Sequence, residues 1–310
     1  MKKLMISMLA MAAMVSCTNE IENPDQPKIE GNEPVEILMN AGINQVITKT
    51  EGVIKPKDFV NDVAFVRSDG TAEPTWTSAT LAAVDATIAA TSGTITFSPT
   101  QYYNINADTK AYMIGYHPKT KGTLSANKVS YSGIDGQQDI MCSDMVSGDK
   151  TSNASSSLTP AFKHLLTQLS FQIKAADATT ATTWGDVTKI ELINQKTSAD
   201  LTLSSTSAFA FTGEATGSYT IGDTNTSFDS SDATTAVPFG KAIMAEAGQA
   251  KYTVKVTTTK YTSGINVDIT VGAVASTSYV VTLTFQSSSI AATATIGEWT
   301  TGEAGTGTVK

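Results

Sequence analysis

The chain has 310 residues and a formal net charge of −8, an acidic balance that repels polyanions and so excludes nucleic acid and anionic lipid surfaces as partners held by charge. Arg67 is the only arginine, which leaves little for the bidentate clamps that recognise phosphate or carboxylate. Two cysteines supply no disulfide framework, so stability must come from packed apolar area, and the length suffices for two domains of ~130 residues each.

In chain order, Met1-Lys2-Lys3, the apolar run Leu4–Val15 and the pair Ser16-Cys17 have the layout of a signal peptide over residues 1–16. The run is too short for a bilayer span, which needs ~20 residues. Met14-Val15-Ser16-Cys17 resembles a lipobox, in which Cys17 accepts a diacylglyceryl group before cleavage. Acyl chains contribute ~0.8 kcal/mol per buried CH₂, so lipidation at Cys17 would anchor the chain in the outer membrane and leave Cys142 without a disulfide partner. Residues 17–34 are polar, acidic and proline-bearing, the composition of a flexible tether. Within it, Glu20, Glu22 and Asp25 resemble the acidic signal that sends some bacterial lipoproteins to the cell surface.

From residue 35 onward, period-2 alternation predicts strands with one buried face. Val35, Ile37, Met39, Ala41 and Ile43 alternate with Glu36, Leu38, Asn40, Gly42 and Asn44, and strands are also expected at 59–66, 94–97 and 111–116. Thr80–Ala90 stays open: Leu81, Val84, Asp85 and Ile88 have the spacing of a short helix, which its threonines disfavour. The polar run Ser147–Ser157 reads as a linker, placing one domain at 35–157 and a second at 158–310. In the latter, Leu169/Phe171/Ile173, Tyr252/Val254/Val256 and Tyr279/Val281/Leu283/Phe285 alternate in the same way. The fold class expected is all-β, with two sandwiches in tandem after the signal peptide and the tether.

No catalytic constellation is visible. His117 and His164 lie at no metal-ligand spacing from an acidic residue or cysteine, and no Gly-x-Ser-x-Gly elbow occurs. Asp223–Asp229 begins like a calcium loop but places Phe228 where glycine is required. Trp76, Trp184 and Trp299 would suit a carbohydrate platform if exposed, although buried packing is the commoner use of tryptophan. These residues predict a protein that is not an enzyme and holds no metal or cofactor.

A family resemblance emerges from several segments taken together. Ile95-Thr96-Phe97-Ser98-Pro99, Tyr112–Pro118, Gln138–Met141 and Phe162–Phe171 resemble the fimbrillin family, as do Ser278–Phe285 and the closing Ile296-Gly297-Glu298-Trp299. Membership would imply two transthyretin-like sandwiches in a lipoprotein that polymerises on the cell surface as a type V pilus, with other fimbrial subunits and a maturation protease as partners. Family members are commonly cut after an arginine near the end of the first strand, whereas this chain has Lys49 and Thr50 there. Cutting after Lys49 would remove the first strand, and Ile290, Ala292, Ala294 and Ile296 form the candidate donor strand that replaces it in the next subunit. The alternatives are a non-polymerising anchor subunit and a surface lipoprotein that binds glycans.

Overall fold

The computed structural model describes residues 33–43, 62–77, 81–89 and 92–297. The signal peptide, Cys17, the tether up to residue 32, Lys49, Thr50 and Trp299 lie outside the described residues. Strands of the first half are β1 (Met39–Asn40), β2 (Gly42–Ile43), β3 (Val63–Gly70), β4 (Ala83–Ile88), β5 (Thr94–Ser98), β6 (Lys110–His117), β7 (Gly122–Ser125), β8 (Lys128–Ser132), β9 (Met141–Ser143) and β10 (Val146–Gly148). They are followed by β11 (Ala161–His164), β12 (Thr167–Ala175), β13 (Val187–Gln195), β14 (Ser198–Thr202), β15 (Ala208–Thr212) and β16 (Gly217–Gly222). The last are β17 (Val237–Ala245), β18 (Lys251–Thr258), β19 (Ile265–Thr270), β20 (Ser278–Phe285) and β21 (Ile290–Gly297), with one helix, α1 (Ala178–Trp184), after β12.

The first sheet runs β1-β5-β4-β3-β6-β9-β11-β2, with β10 on β6. Because β1 and β2 are two ends of one segment joined at Ala41, the order closes on itself and the sheet rolls around a core. Inside lie Ile37, Met39, Val63, Phe65, Ile88, Ile95, Phe97, Met113 and Phe162. Phe65 meets Phe97 and Phe162 edge to face, with centroids 5.4 and 6.0 Å away. A Cβ on Gly115 would stand 2.6 Å from the Phe162 ring and 2.9 Å from Phe65, so a bare backbone at this point admits the aromatic cluster. The open reading of 80–90 resolves as strand: Ala86 and Ile88 point inward while Asp85 and Thr87 face out.

The outer face of the same sheet is also covered, which is why Val63–Val66 and Ala111–Tyr116 are buried without alternation. Ala64, Val66, Tyr112, Ile114 and Tyr116 share a second, larger cluster with Val129, Tyr131, Ala199 and Leu201. Those last four come from a sheet ordered β15-β14-β8-β7, in which a hairpin from the first half of the chain pairs with one from the second. The larger cluster continues into a sandwich of two four-stranded sheets, β17-β12-β20-β21 and β16-β13-β18-β19. Leu169, Ile173, Val254, Ile269, Val281 and Leu283 lie in this part of the core.

Residues Ser147–Ser157, whose composition suggests a flexible link, are held in place instead. Ser147 and Gly148 belong to β10, and the Asp149 carboxylate accepts the Thr151 and Ser152 N–H groups at 2.9 and 2.7 Å and the Ser152 hydroxyl at 3.0 Å. The bonds from Ser152 and Thr151 hold its pKa below the usual carboxylate value. The run is polar because its side chains close a turn upon their own backbone. The helix α1 forms against its composition: its four threonines disfavour helix, but Asp177 caps it by accepting the Thr180 N–H at 2.7 Å, and Gly185 at φ +67° ends it. Trp184, at its last position, seals one end of the second sandwich, 5.4 Å from Phe285, with its indole N–H donating to the Gln286 carbonyl at 2.7 Å.

Candidate functional site

The segment Val35–Ile43 is inserted between two strands and bonded to both. On one side Ile37 N–H donates to Gln101 O at 2.8 Å, Tyr103 N–H donates to Val35 O at 2.9 Å, and Met39 pairs antiparallel with Ile95. On the other side Leu158 N–H donates to Leu38 O and Asn40 N–H to Leu158 O, both at 2.8 Å, and Gly42 N–H donates to Pro160 O at 2.9 Å. There the pairing is parallel, with Ala161 opposite Gly42 and Phe162 opposite Ile43. The expected alternation is present: Ile37 and Met39 are 1% and 2% exposed, whereas Leu38 is 41% exposed. The segment therefore supplies core side chains and also satisfies the backbone of both neighbours.

Arg67 secures one wall of this slot. Its guanidinium grips Asp69 through two bonds of 2.7 and 2.8 Å, and reaches Gln101 Oε1 at 3.0 Å and the Tyr102 carbonyl at 2.8 Å. The 101–103 turn that pairs with the first strand is thus tied to β3 by the chain's single arginine. Composition alone marked Arg67 as rare; its role needed the fold.

The candidate donor residues all lie on β21, at the edge of its sheet. That strand pairs antiparallel with β20 from Phe285↔Ile290 to Ser278↔Gly297. Ile290, Ala292 and Ala294 are half-buried against the larger core, while Ile296 is 48% exposed. The structure therefore does not bring the donor residues to the first-strand slot; within one molecule they complete the second sandwich.

Both histidines sit at the end of the rolled sheet, flanking Met141 in one row across β6, β9 and β11. His164 Nδ1 is 2.8 Å from Asp139 Oδ1, a pairing over 25 residues that no local spacing signals. His117 Nδ1 is 2.9 Å from the Asp62 carbonyl, and burial lowers its pKa below the usual value. Among the described residues, no three His, Cys, Asp or Glu side chains cluster so as to hold a metal ion. The acidic loop after Asp223 spends its oxygens on itself: Asp229 accepts from Ser231 and Asp232 N–H groups, and Asp232 from Thr234 N–H. Cys142 is buried at 4% exposure, and that burial pushes its thiol up to about 11. Trp76 and Trp184, each 2% exposed, present no platform to a sugar. Among the described residues no helix is long and apolar enough to cross a membrane.

Comparison with solved structures shows the same fold in proteins of several Bacteroides species. A proposed cell adhesion protein from Bacteroides uniformis is 17% identical with a TM-score of 0.58, the match covering 86% of this chain and 99% of that one. Another from Bacteroides ovatus is 13% identical with a TM-score of 0.55, over 86% of this chain and 99% of that one. A fimbrial protein from Bacteroides vulgatus is 12% identical at a TM-score of 0.51, covering 85% and 99% respectively. No curated protein matches the sequence. The sequence model described as fimbrillin-like matches residues 38–299, from the first strand to the last tryptophan, and the chain belongs to that family.

Proposed function

We propose that this protein is a structural, non-enzymatic subunit of a type V pilus at the cell surface, exported as an outer-membrane lipoprotein through acylation of Cys17. Family membership supports the pilus-type role, and the lipobox at Met14–Cys17 supports the anchor. On this reading residues 35–157 and 158–310 are the two sandwich domains, the second lending β11 to the sheet of the first.

The observation that carries the assembly mechanism is the two-sided pairing of Val35–Ile43. Cleavage after Lys49 by a maturation protease would release this segment, leaving β5 and β11 with unpaired edges and the core without Ile37 and Met39. Each such side chain contributes ~1.5–3 kcal/mol on burial, so the open slot favours any extended strand with apolar residues at alternate positions. In the homopolymer the donor is β21 of another copy, carrying Ile290, Ala292, Ala294 and Ile296. An edge strand bearing alanines is the cheapest strand of its sheet to withdraw, since it breaks one ladder and uncovers little apolar area.

The test is trypsin treatment of purified precursor. The expected result is an SDS-resistant ladder whose subunits begin at Thr50, abolished by Lys49→Ala and by truncation after Ile290. Ladders from the truncated chain would remove β21 as donor, and ladders from Lys49→Ala would remove the cleavage assignment. Labelled fatty acid still entering a Cys17→Ala protein would remove the anchor.

A further inference from the structure

Two histidines close one end of the rolled sheet, and neither enters the assembly mechanism. His117 is the last residue of β6, Met141 the first of β9 and His164 the last of β11. The pairs His117↔Met141 and His164↔Met141 set the three in one row, and residues directly opposite in antiparallel strands share a face. Two strand spacings put the histidine Cα atoms ~10 Å apart. His164 and Met141 are fully buried, and His117 is partly so.

Among the described residues, the titratable groups around His117 come from several elements. Ahead of β3, the Asp62 carbonyl lies 2.9 Å from His117 Nδ1, and the Asp62 carboxylate accepts the Thr120 N–H at 2.8 Å and the Thr120 hydroxyl at 2.7 Å. Ahead of β9, Asp139 engages His164 Nδ1 at 2.8 Å. Lys119 pairs with Asp85 at 2.7 Å, and from β8 the Tyr131 hydroxyl donates to the His117 carbonyl at 3.5 Å. Burial, with His164 adding to it, outweighs the pull of Asp139 and Asp62, so the folded His117 ring resists a proton.

The ladder at this point is thin. β6 and β9 share the two pairs Tyr116↔Cys142 and His117↔Met141, and β10 takes over along β6 from Met113 to Ala111. On its other side β9 pairs with β11 over three residues, and Ala161 and Phe162 of β11 carry the Gly42–Ile43 end of the first strand. A charged imidazole recovers its hydration when Met141 parts from it. Parting there leaves β11, and the strand end beside it, without their anchor on β6.

We propose that proton uptake at His117 parts β9 from β6 and, through β11, loosens the Gly42–Ile43 end of the first strand, so that mild acid eases that segment out of its slot. The opening is local, because β10 keeps the rest of β6 paired. The biological role rests on the reading of Val35–Ile43 as the exchangeable strand, but the test needs neither cleavage nor polymer, so either can fail alone.

The test is hydrogen exchange of the full chain carrying Cys17→Ala at pH 7.5 and 5.0, with rates corrected for intrinsic chemistry. A histidine of ordinary pKa ~6.5 that charges only in the opened state raises the opened population by up to ~30-fold at pH 5. The expected result is a loss of protection of about fivefold or more at 35–43, 141–143 and 161–164, with less than about twofold change at 279–285. In His117→Gln the acid-induced loss should vanish. No selective loss in the parent chain, an equal loss at 279–285, or an undiminished loss in His117→Gln each overturns the proposal; the first two outcomes are read on the parent chain and do not depend on how the variant folds.

Discussion

The core inside the rolled sheet and the core of the second sandwich are closed by different kinds of segment. In the first, both sheet edges meet on Val35–Ile43, whose partners at 94–103 and 158–162 are distant in sequence. In the second, the closing strands β19 and β21 are hairpin neighbours of β18 and β20. A hairpin neighbour re-forms its contacts over a short loop, whereas an inserted segment must close long ones. The rolled sheet therefore depends on one inserted segment for closure at both of its edges, whereas each closing strand of the second sandwich pairs with one sequence neighbour.

The largest expected effect comes from emptying the inserted strand. Ile37→Ala combined with Met39→Ala should cost about 2–5 kcal/mol per site, and hydrogen exchange should rise first at Val63–Val66 and Ala111–Tyr116 while Tyr279–Phe285 stays protected. Equal loss of protection in both regions would break the comparison. Trp184→Ala is the mirror experiment, costing about 3–5 kcal/mol with the loss expected around Ala175 and Phe285 and the first strand unaffected. A smaller effect, about 1–3 kcal/mol, is expected from Gly115→Ala, because the added methyl must displace the rings of Phe65 and Phe162; a denaturant midpoint equal to that of the parent would show that the aromatic cluster yields.

The pH dependence sharpens the comparison further, since both histidines belong to the rolled sheet. Burial lowers the pKa of His117 in the folded state, so below ~6.5 the unfolded chain binds a proton that the folded chain refuses. Stability should fall as pH drops through that value, and His117→Gln should flatten the slope measured by urea unfolding between pH 7 and 5. The smallest effect concerns Cys142, whose buried thiol is held protonated well above neutrality. Iodoacetamide at pH 8 should leave it unlabelled in the native protein and label it fully in urea; native labelling would mean that β9 opens.

Secondary structure was legible wherever one face of a strand is buried, because alternation in Ile37/Met39 or Val281/Leu283/Phe285 is a local record of which side meets the core. It was illegible where capping overrides propensity, as at Asp177. Within the candidate site, the first strand and β21 were readable as apolar alternations. That one is inserted between two strands and the other sits at an edge was not, since neither the distant pairing of Gly42 with Ala161 nor the absence of a second partner for β21 leaves a local mark.

Composition, period and motif order by themselves determined the β class, the lack of a catalytic motif and the fimbrillin resemblance, since each depends on residues close together in the chain. Only the tertiary structure decided that Arg67 braces the first-strand slot, that Asp139 meets His164, that hairpins from both halves build one sheet, and that the first strand closes the rolled sheet from both sides. These are hydrogen bonds between segments brought together by burial, and burial rewards apolar area without regard to where in the chain its partner lies.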